Sequence, residues 1–177
     1  MQKLSQREVL IWSIFVIVAG AMLWFAGSRQ NQIGQEAPAL TLPNATGELV
    51  DLHQHRGQVV VLNFFATWCP PCKVEIPDLS KFHARNEESG REVSIYGIVL
   101  ESGPPTQALA ESARLGVDFP ILVGTSHVAA RYNIQSFPTT VIIDTHGNVH
   151  QRIDGLIDLE TLEAWTEDAL THNDHEH

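Results

Sequence analysis

The apolar run Val59–Phe65 (VVVLNFF) leads straight into Trp68-Cys69-Pro70-Pro71-Cys72, which holds the only two cysteines of a 177-residue chain. A short, near-continuous apolar run predicts a strand buried on both faces. The prolines that follow suit the first turn of a helix, where backbone N–H groups have no intrahelical partner. Cys69 is thereby placed at the carboxyl end of a central strand and at the start of a helix, the edge at which open α/β sheets carry their reaction sites. Two cysteines can serve as a staple, as half a metal site or as a redox pair. Closing so small a loop removes little unfolded-state entropy, at most about 2 kcal/mol before strain is subtracted. A structural zinc site takes four ligands, and one Cys-x-x-Cys supplies two. A redox pair needs only two sulfurs within bonding reach, and the spacing favours that reading.

The surrounding text alternates strands and helices. Leu40–Leu42 and Leu49–Leu52 read as a strand pair about the turn Asn44-Ala45-Thr46-Gly47. A helix is expected over Pro70–Glu88, kinked by Pro77 and stopped by Gly90. Val93–Leu100 is the next buried strand, Pro105–Leu115 a helix, Pro120–Val123 a short strand and Ser126–Tyr132 a short helix. Thr139–Asp144 and Asn148–Ile153 form a hairpin about His146-Gly147. In the last helix, Asp158–Leu170, the apolar residues Leu159, Leu162, Trp165 and Leu170 share a face. This order predicts an α/β domain with a mixed central sheet flanked by helices on both sides.

The run Val9–Ala26 carries no charge. As a helix it rises ~27 Å, close to the ~30 Å hydrocarbon core of a bilayer. Trp12 and Trp24 fall near its ends, where aromatic rings favour the interface. Ala19-Gly20-Ala21 also reads as a signal-peptide cleavage site. The apolar stretch continues past it to Phe25, which favours an uncleaved anchor. Lys3 and Arg7 precede the run and Arg29 follows it, a weak positive-inside bias for N-terminus in and domain out. The expected organisation is a cytoplasmic N-terminus over 1–8, a transmembrane anchor over 9–26, a polar linker over 27–36, a compact domain over 37–170 and a disordered tail over 171–177. The domain then lies in an oxidising compartment, where a lone dithiol is a reagent. A net charge of −10 argues against nucleic acid and anionic lipid surfaces as partners.

The positive end of a helix stabilises a thiolate. Cys69 is expected to cap the helix as the exposed attacking thiol, with Cys72, one turn in, as the shielded resolving thiol. Pro70 and Pro71 fix the turn but have no N–H to offer the sulfur. Glu75 lies three residues beyond Cys72 and near it on the helix surface. It is either a buried acid with a raised pKa that handles the Cys72 proton, or an exposed acid that merely suits the helix dipole; spacing alone leaves both open. Pro138, between the bulky Phe137 and an apolar strand, is a candidate cis-proline. Trp68 is expected to shield the dithiol, to pack, or both. His53 and His55 in a polar turn, and His172, His175 and His177 in the tail, read as solvated residues rather than metal ligands.

Three segments, NFFATWCPPCKVEIP, SFPTTVIIDTHGNV and IGQEAPALTLPNATGELVDLHQHRG, together resemble membrane-anchored thioredoxin-like proteins of the TlpA/ResA type. The resemblance covers about residues 33–170. It implies a thioredoxin-like fold with an N-terminal β-extension and a βα insertion within about Pro104–Tyr132. It implies thiol–disulfide oxidoreductase activity through a redox disulfide, with Cys69 as nucleophile, Cys72 as resolving partner and Glu75 in the proton role. Pro138 matches the cis-proline beside the dithiol. The backbone of Phe137 matches the one that pairs with an extended substrate segment, and Trp68 completes the substrate-binding set. Pro77 matches a helix-kinking proline. Two departures stand out. Asn63 occupies the place of the buried aspartate of cytoplasmic thioredoxins. Ser136-Phe137-Pro138-Thr139 replaces the Gly-Ala-Pro-Glu of the CcmG-like branch, which weakens a direct assignment to that branch.

The function implied is a membrane-tethered reductant of specific extracytoplasmic protein disulfides, such as those of cytochrome c-type biogenesis or the cysteine ligands of a copper site. Its electrons would come from a membrane-embedded thiol donor. The location implied is the bacterial inner membrane, with the domain in the periplasm or outside. No metal and no cofactor is called for. Two alternatives remain. One is a copper chaperone using Cys69, Cys72 and a histidine. The other is a peroxiredoxin-type peroxidase, disfavoured because the proline and threonine expected seven and three residues before its cysteine are here Leu62 and Ala66.

Overall fold

The computed structural model describes residues 33–171, together with Arg7, Trp12, Phe15, Val16 and Val18. The chain divides into two units, residues 1–30 and 31–177. The described residues of the first are helical, and Trp12 meets Phe15 edge-on with ring centroids 6.2 Å apart. The rest of the expected anchor Val9–Ala26, most of the expected linker and the tail beyond Thr171 lie outside the described residues. Among the described residues no helix is long and apolar enough to cross a membrane.

In the second unit, β1 (Thr41–Pro43) and β2 (Leu49–Asp51) form an antiparallel pair. Five further strands, β3 (Val59–Phe65), β4 (Val93–Val99), β5 (Ile121–Val123), β6 (Thr139–Ile143) and β7 (Val149–Asp154), make one sheet in the order β5-β4-β3-β6-β7. β3, β4 and β5 run parallel, whereas β6 is antiparallel to β3 and β7 to β6. The helices are α1 (Pro70–Ser89), α2 (Pro105–Arg114), α3 (Ser126–Arg131) and α4 (Leu159–Thr171). The mixed sheet is therefore as expected. α1 runs as one helix through Pro77 and ends at Gly90, whose φ of 62° is the left-handed cap that glycine adopts freely.

Every residue of β3 is buried, because the strand has a layer on each side. Side chains alternate between the faces of a strand. Val60, Leu62 and Phe64 pack with Leu40, Leu42, Leu122 and Val141. Val59 and Val61 pack with Leu79 and Phe82 of α1 and Leu162 of α4. The same alternation assigns Asn63 to the α1 face.

A buried tyrosine hydroxyl is one of the groups that tie the N-terminal extension to this core. Tyr132 is fully buried, its ring tilts against Phe64 at 5.1 Å, and its hydroxyl donates to the Pro38 carbonyl at 2.7 Å. Burial pushes its phenol above the ordinary value. Tyr132→Phe should cost about 1 kcal/mol, since it leaves a buried carbonyl without its donor. A lower urea midpoint with an unchanged slope would read this directly.

The last residues of the expected linker are instead part of the sheet edge. Gly34 N donates to Val149 O at 2.7 Å, Val149 N donates to Gln35 O at 2.8 Å, and Glu36 bridges Asn148. Their polar side chains suggested a spacer, but pairing uses the backbone, and an unpaired β7 edge has donors and acceptors to satisfy.

Candidate active site

Cys69 and Cys72 are joined as a disulfide with Cα atoms 5.4 Å apart. Cys69 caps α1, and its Sγ accepts the Cys72 N–H at 3.2 Å. Pro70 and Pro71 carry no N–H, so the Cys72 amide is the first the helix can offer. The expectation of an exposed Cys69 needs correction. Cys69 is 3% exposed and Cys72 1%. Bonded to each other, the sulfurs pack among Phe65, Ala66 and Val99, with Phe137 against them. The asymmetry between the two survives in another form. Cys69 lines an open depression of about 300 Å³ with Trp68, Pro70, Pro71, Glu101 and residues 134–137, and Cys72 does not.

The walls of this depression are braced. Trp68 is exposed and lines the depression together with Cys69. Its indole N–H donates to Glu101 O at 2.7 Å, and its ring meets Phe137 edge-on at 5.9 Å. The Phe137–Pro138 bond is cis. Pro138 O accepts Gly155 N at 2.8 Å. Thr139 Oγ1 lies 3.0 Å from Ser136 O and 2.9 Å from Asp154 Oδ1. Arg152 donates to Tyr132 O at 2.7 Å, Asn133 O at 3.1 Å and Asp154 Oδ1 at 2.7 Å. Hydrogen bonding from Arg152 holds the Asp154 carboxyl below its usual range. The sequence reading did not single out Arg152 and Asp154. Their signal was two opposite charges two apart on a strand, hence on one face.

Glu75 lies on α1 three residues beyond Cys72 and is 2% exposed. The alternative of an exposed first-turn acid is thereby excluded. Its Oε2 accepts the Ile157 N–H at 3.0 Å, and its Oε1 accepts the Asn63 amide. Burial pushes its pKa up from 4.5 to about 7, against the pull of the Ile157 N–H and then the Asn63 amide; Asp78 adds a small push upward. A carboxyl so poised holds or releases a proton near neutral pH, the condition for proton transfer at a neighbouring thiol. His55, by contrast, is engaged with Tyr96 OH at 3.0 Å and Gln58 Oε1 at 3.2 Å. No group of three or more metal-ligating side chains occurs among the described residues.

A cysteine pair capping a helix at the end of a central strand, with a cis Phe137–Pro138 bond at the edge of the depression that Cys69 lines and a buried acid three residues beyond Cys72, is the layout of a thioredoxin-like thiol–disulfide oxidoreductase. The AhpC/TSA family model matches residues 33–152, and the chain belongs to that family. It is 30% identical over 173 residues to the thiol-disulfide oxidoreductase ResA of Geobacillus kaustophilus, covering 93% of this chain and 97% of that protein. It is 36% identical over 117 residues to the thioredoxin-like protein YneN of Bacillus subtilis, covering 66% of this chain and 68% of that one. A thiol:disulfide interchange protein of the thioredoxin family from Chlorobium tepidum superposes with a TM-score of 0.68 at 25% identity, over 78% of this chain and 98% of that one. The activity class follows from both the site and these relatives. At the two positions that disfavoured a peroxidase, Leu62 packs in the sheet core and Ala66 is a buried residue without a hydroxyl.

Proposed function

We propose that the protein is a membrane-tethered extracytoplasmic reductase of specific protein disulfides, with Cys69 as nucleophile and Cys72 as resolving thiol. The observation that carries this reading is the asymmetry of the pair: Cys69 lines the depression beside Phe137, while Cys72 is withdrawn from it. In the forward reaction the Cys69 thiolate attacks one sulfur of a substrate disulfide. A Cys69–substrate bond forms, the substrate S–S bond breaks, and one substrate thiolate leaves and takes up a proton. Cys72 then loses its proton, with Glu75 as acceptor, and attacks the Cys69 sulfur. The second substrate thiolate leaves, and the Cys69–Cys72 disulfide of this structure remains. Two electrons have passed to the substrate. A membrane-embedded dithiol donor returns the pair to its reduced state.

The substrate segment lies extended beside Phe137 and Pro138, pairing with the Phe137 backbone, with Trp68 as the facing wall. The tether is the uncharged run Val9–Ala26, and the compartment is the periplasm or the outer side of a bacterial inner membrane. The relative named thiol-disulfide oxidoreductase ResA supports the oxidoreductase class. Cytochrome c-type biogenesis and copper-site cysteines are the substrate classes the resemblance favours. Cys72→Ala in cells tests the reading, since a Cys69–substrate disulfide then has no resolving thiol. Capture of periplasmic or surface proteins through one of their cysteines, dependent on Cys69, is the expected result. Absence of any Cys69-dependent adduct overturns it. A parallel Cu(I) titration of the reduced protein separates the copper-chaperone alternative, which requires tight stoichiometric binding.

A further inference from the structure

We infer that Asn63 is a positioning residue that holds Glu75 in a state able to carry negative charge three residues beyond Cys72. The inference rests on the proton role just proposed for Glu75. Asn63 is 1% exposed and sits in the middle of β3. Strand alternation aims it at α1. Its Nδ2 donates both to Glu75 Oε1 and, at 3.0 Å, to Thr140 Oγ1 on the neighbouring strand β6. Both N–H bonds of the amide are thereby assigned, one to the carboxyl and one to an anchor that fixes its direction. The other carboxyl oxygen is held by the Ile157 N–H, from the segment before α4.

Each hydrogen-bond partner of Glu75 is accounted for in this way. β3 contributes the Asn63 amide, β6 contributes Thr140 through that amide, and the approach to α4 contributes a backbone donor. Its own helix contributes Asp78, which opposes ionisation, and Cys72, whose proton is to be moved. A donor is the chemistry required at position 63. Two donors on a buried carboxylate favour the charged form, whereas burial alone drives it to the neutral one. An aspartate at position 63 would put a second carboxyl against Glu75, and one of the two would stay protonated. The exchange of aspartate for asparagine thus moves the titrating group from β3 to α1 and leaves β3 with the supporting hydrogen bond.

The test uses the full chain in its oxidised state, so that the cysteines do not titrate. The Glu75 side-chain carboxyl is followed by carbon NMR against pH in the wild type, Asn63→Leu and Thr140→Val. Loss of a hydrogen bond to an ionised group should raise the proton affinity of Glu75 about tenfold in Asn63→Leu, and by less in the same direction in Thr140→Val. In the reduced enzyme, the midpoint of the pH–rate profile should move alkaline by the same factor while the plateau rate is kept. A merely structural Asn63 would lower stability and leave both midpoints in place. A wild-type midpoint in whichever of the two variants folds overturns the inference. If Glu75→Gln itself leaves the rate profile unchanged, it is the proton role of Glu75 that fails instead, and the NMR midpoints still report on Asn63.

Discussion

Cys69→Ser should lower steady-state reduction of a disulfide substrate by more than about a hundredfold, to the uncatalysed rate, while the fold is kept. The hydroxyl cannot supply a thiolate, and no other cysteine lines the depression. Cys72→Ser should behave differently. Its Cys69 can still attack, so one equivalent of substrate thiol is released, and the reaction stops at the mixed disulfide. A stopped-flow trace with a single-turnover burst in Cys72→Ser and none in Cys69→Ser is the expected pair of results. Equal bursts in both variants would show that the sulfurs are interchangeable and would remove the significance of their unequal access. The two cysteines differ in access rather than in burial. Both cysteines are almost equally buried as a disulfide, and only Cys69 borders the space a substrate can occupy.

The central sheet was legible because its signals are local. β3 announced itself by an unbroken apolar run, the helix start by its prolines, and the hairpin β6–β7 by His146-Gly147. Cys69 and Cys72 were legible for the same reason, since their spacing carries the chemistry. Glu75 was legible only as a choice between two environments. Its spacing places it on one side of a helix, but whether that side is wet depends on Asn63 and Ile157, 12 and 82 residues away in sequence. Arg152 was missed because its partners Tyr132 and Asn133 are carbonyl oxygens of a distant turn, which no side-chain pattern reports. The sheet-edge pairing of Gly34 and Gln35 was missed because backbone pairing leaves no mark on polar side chains. Cys69 exposure was overestimated because a sulfur bonded to its neighbour presents less surface than a free thiol at a helix cap.

Glu75→Gln should make the protein more stable at pH 8 than the wild type, by a margin absent at pH 4. The folded carboxyl titrates at about 7 against 4.5 for the ordinary group, because burial disfavours its charged form. Below about pH 4 it is protonated in both folded and unfolded states, and its ionisation has no effect on stability. As pH rises from 4.5 to 7 the unfolded chain loses this proton first, so unfolding becomes progressively easier. Above the folded pKa the full penalty is present, on the order of 3 kcal/mol. Glutamine is similar in shape, stays neutral and can still accept the Ile157 N–H. The difference in unfolding free energy between variant and wild type should therefore grow across that window and level off beyond it. Urea unfolding of the oxidised proteins at pH 4, 6 and 8 measures this without interference from thiol titration. Parallel stability curves would mean that Glu75 titrates like an exposed acid, and its role at Cys72 would lose its physical basis. A rising difference would identify a residue that destabilises the fold at neutral pH, and such a residue is best explained by a reaction that needs a proton acceptor for Cys72.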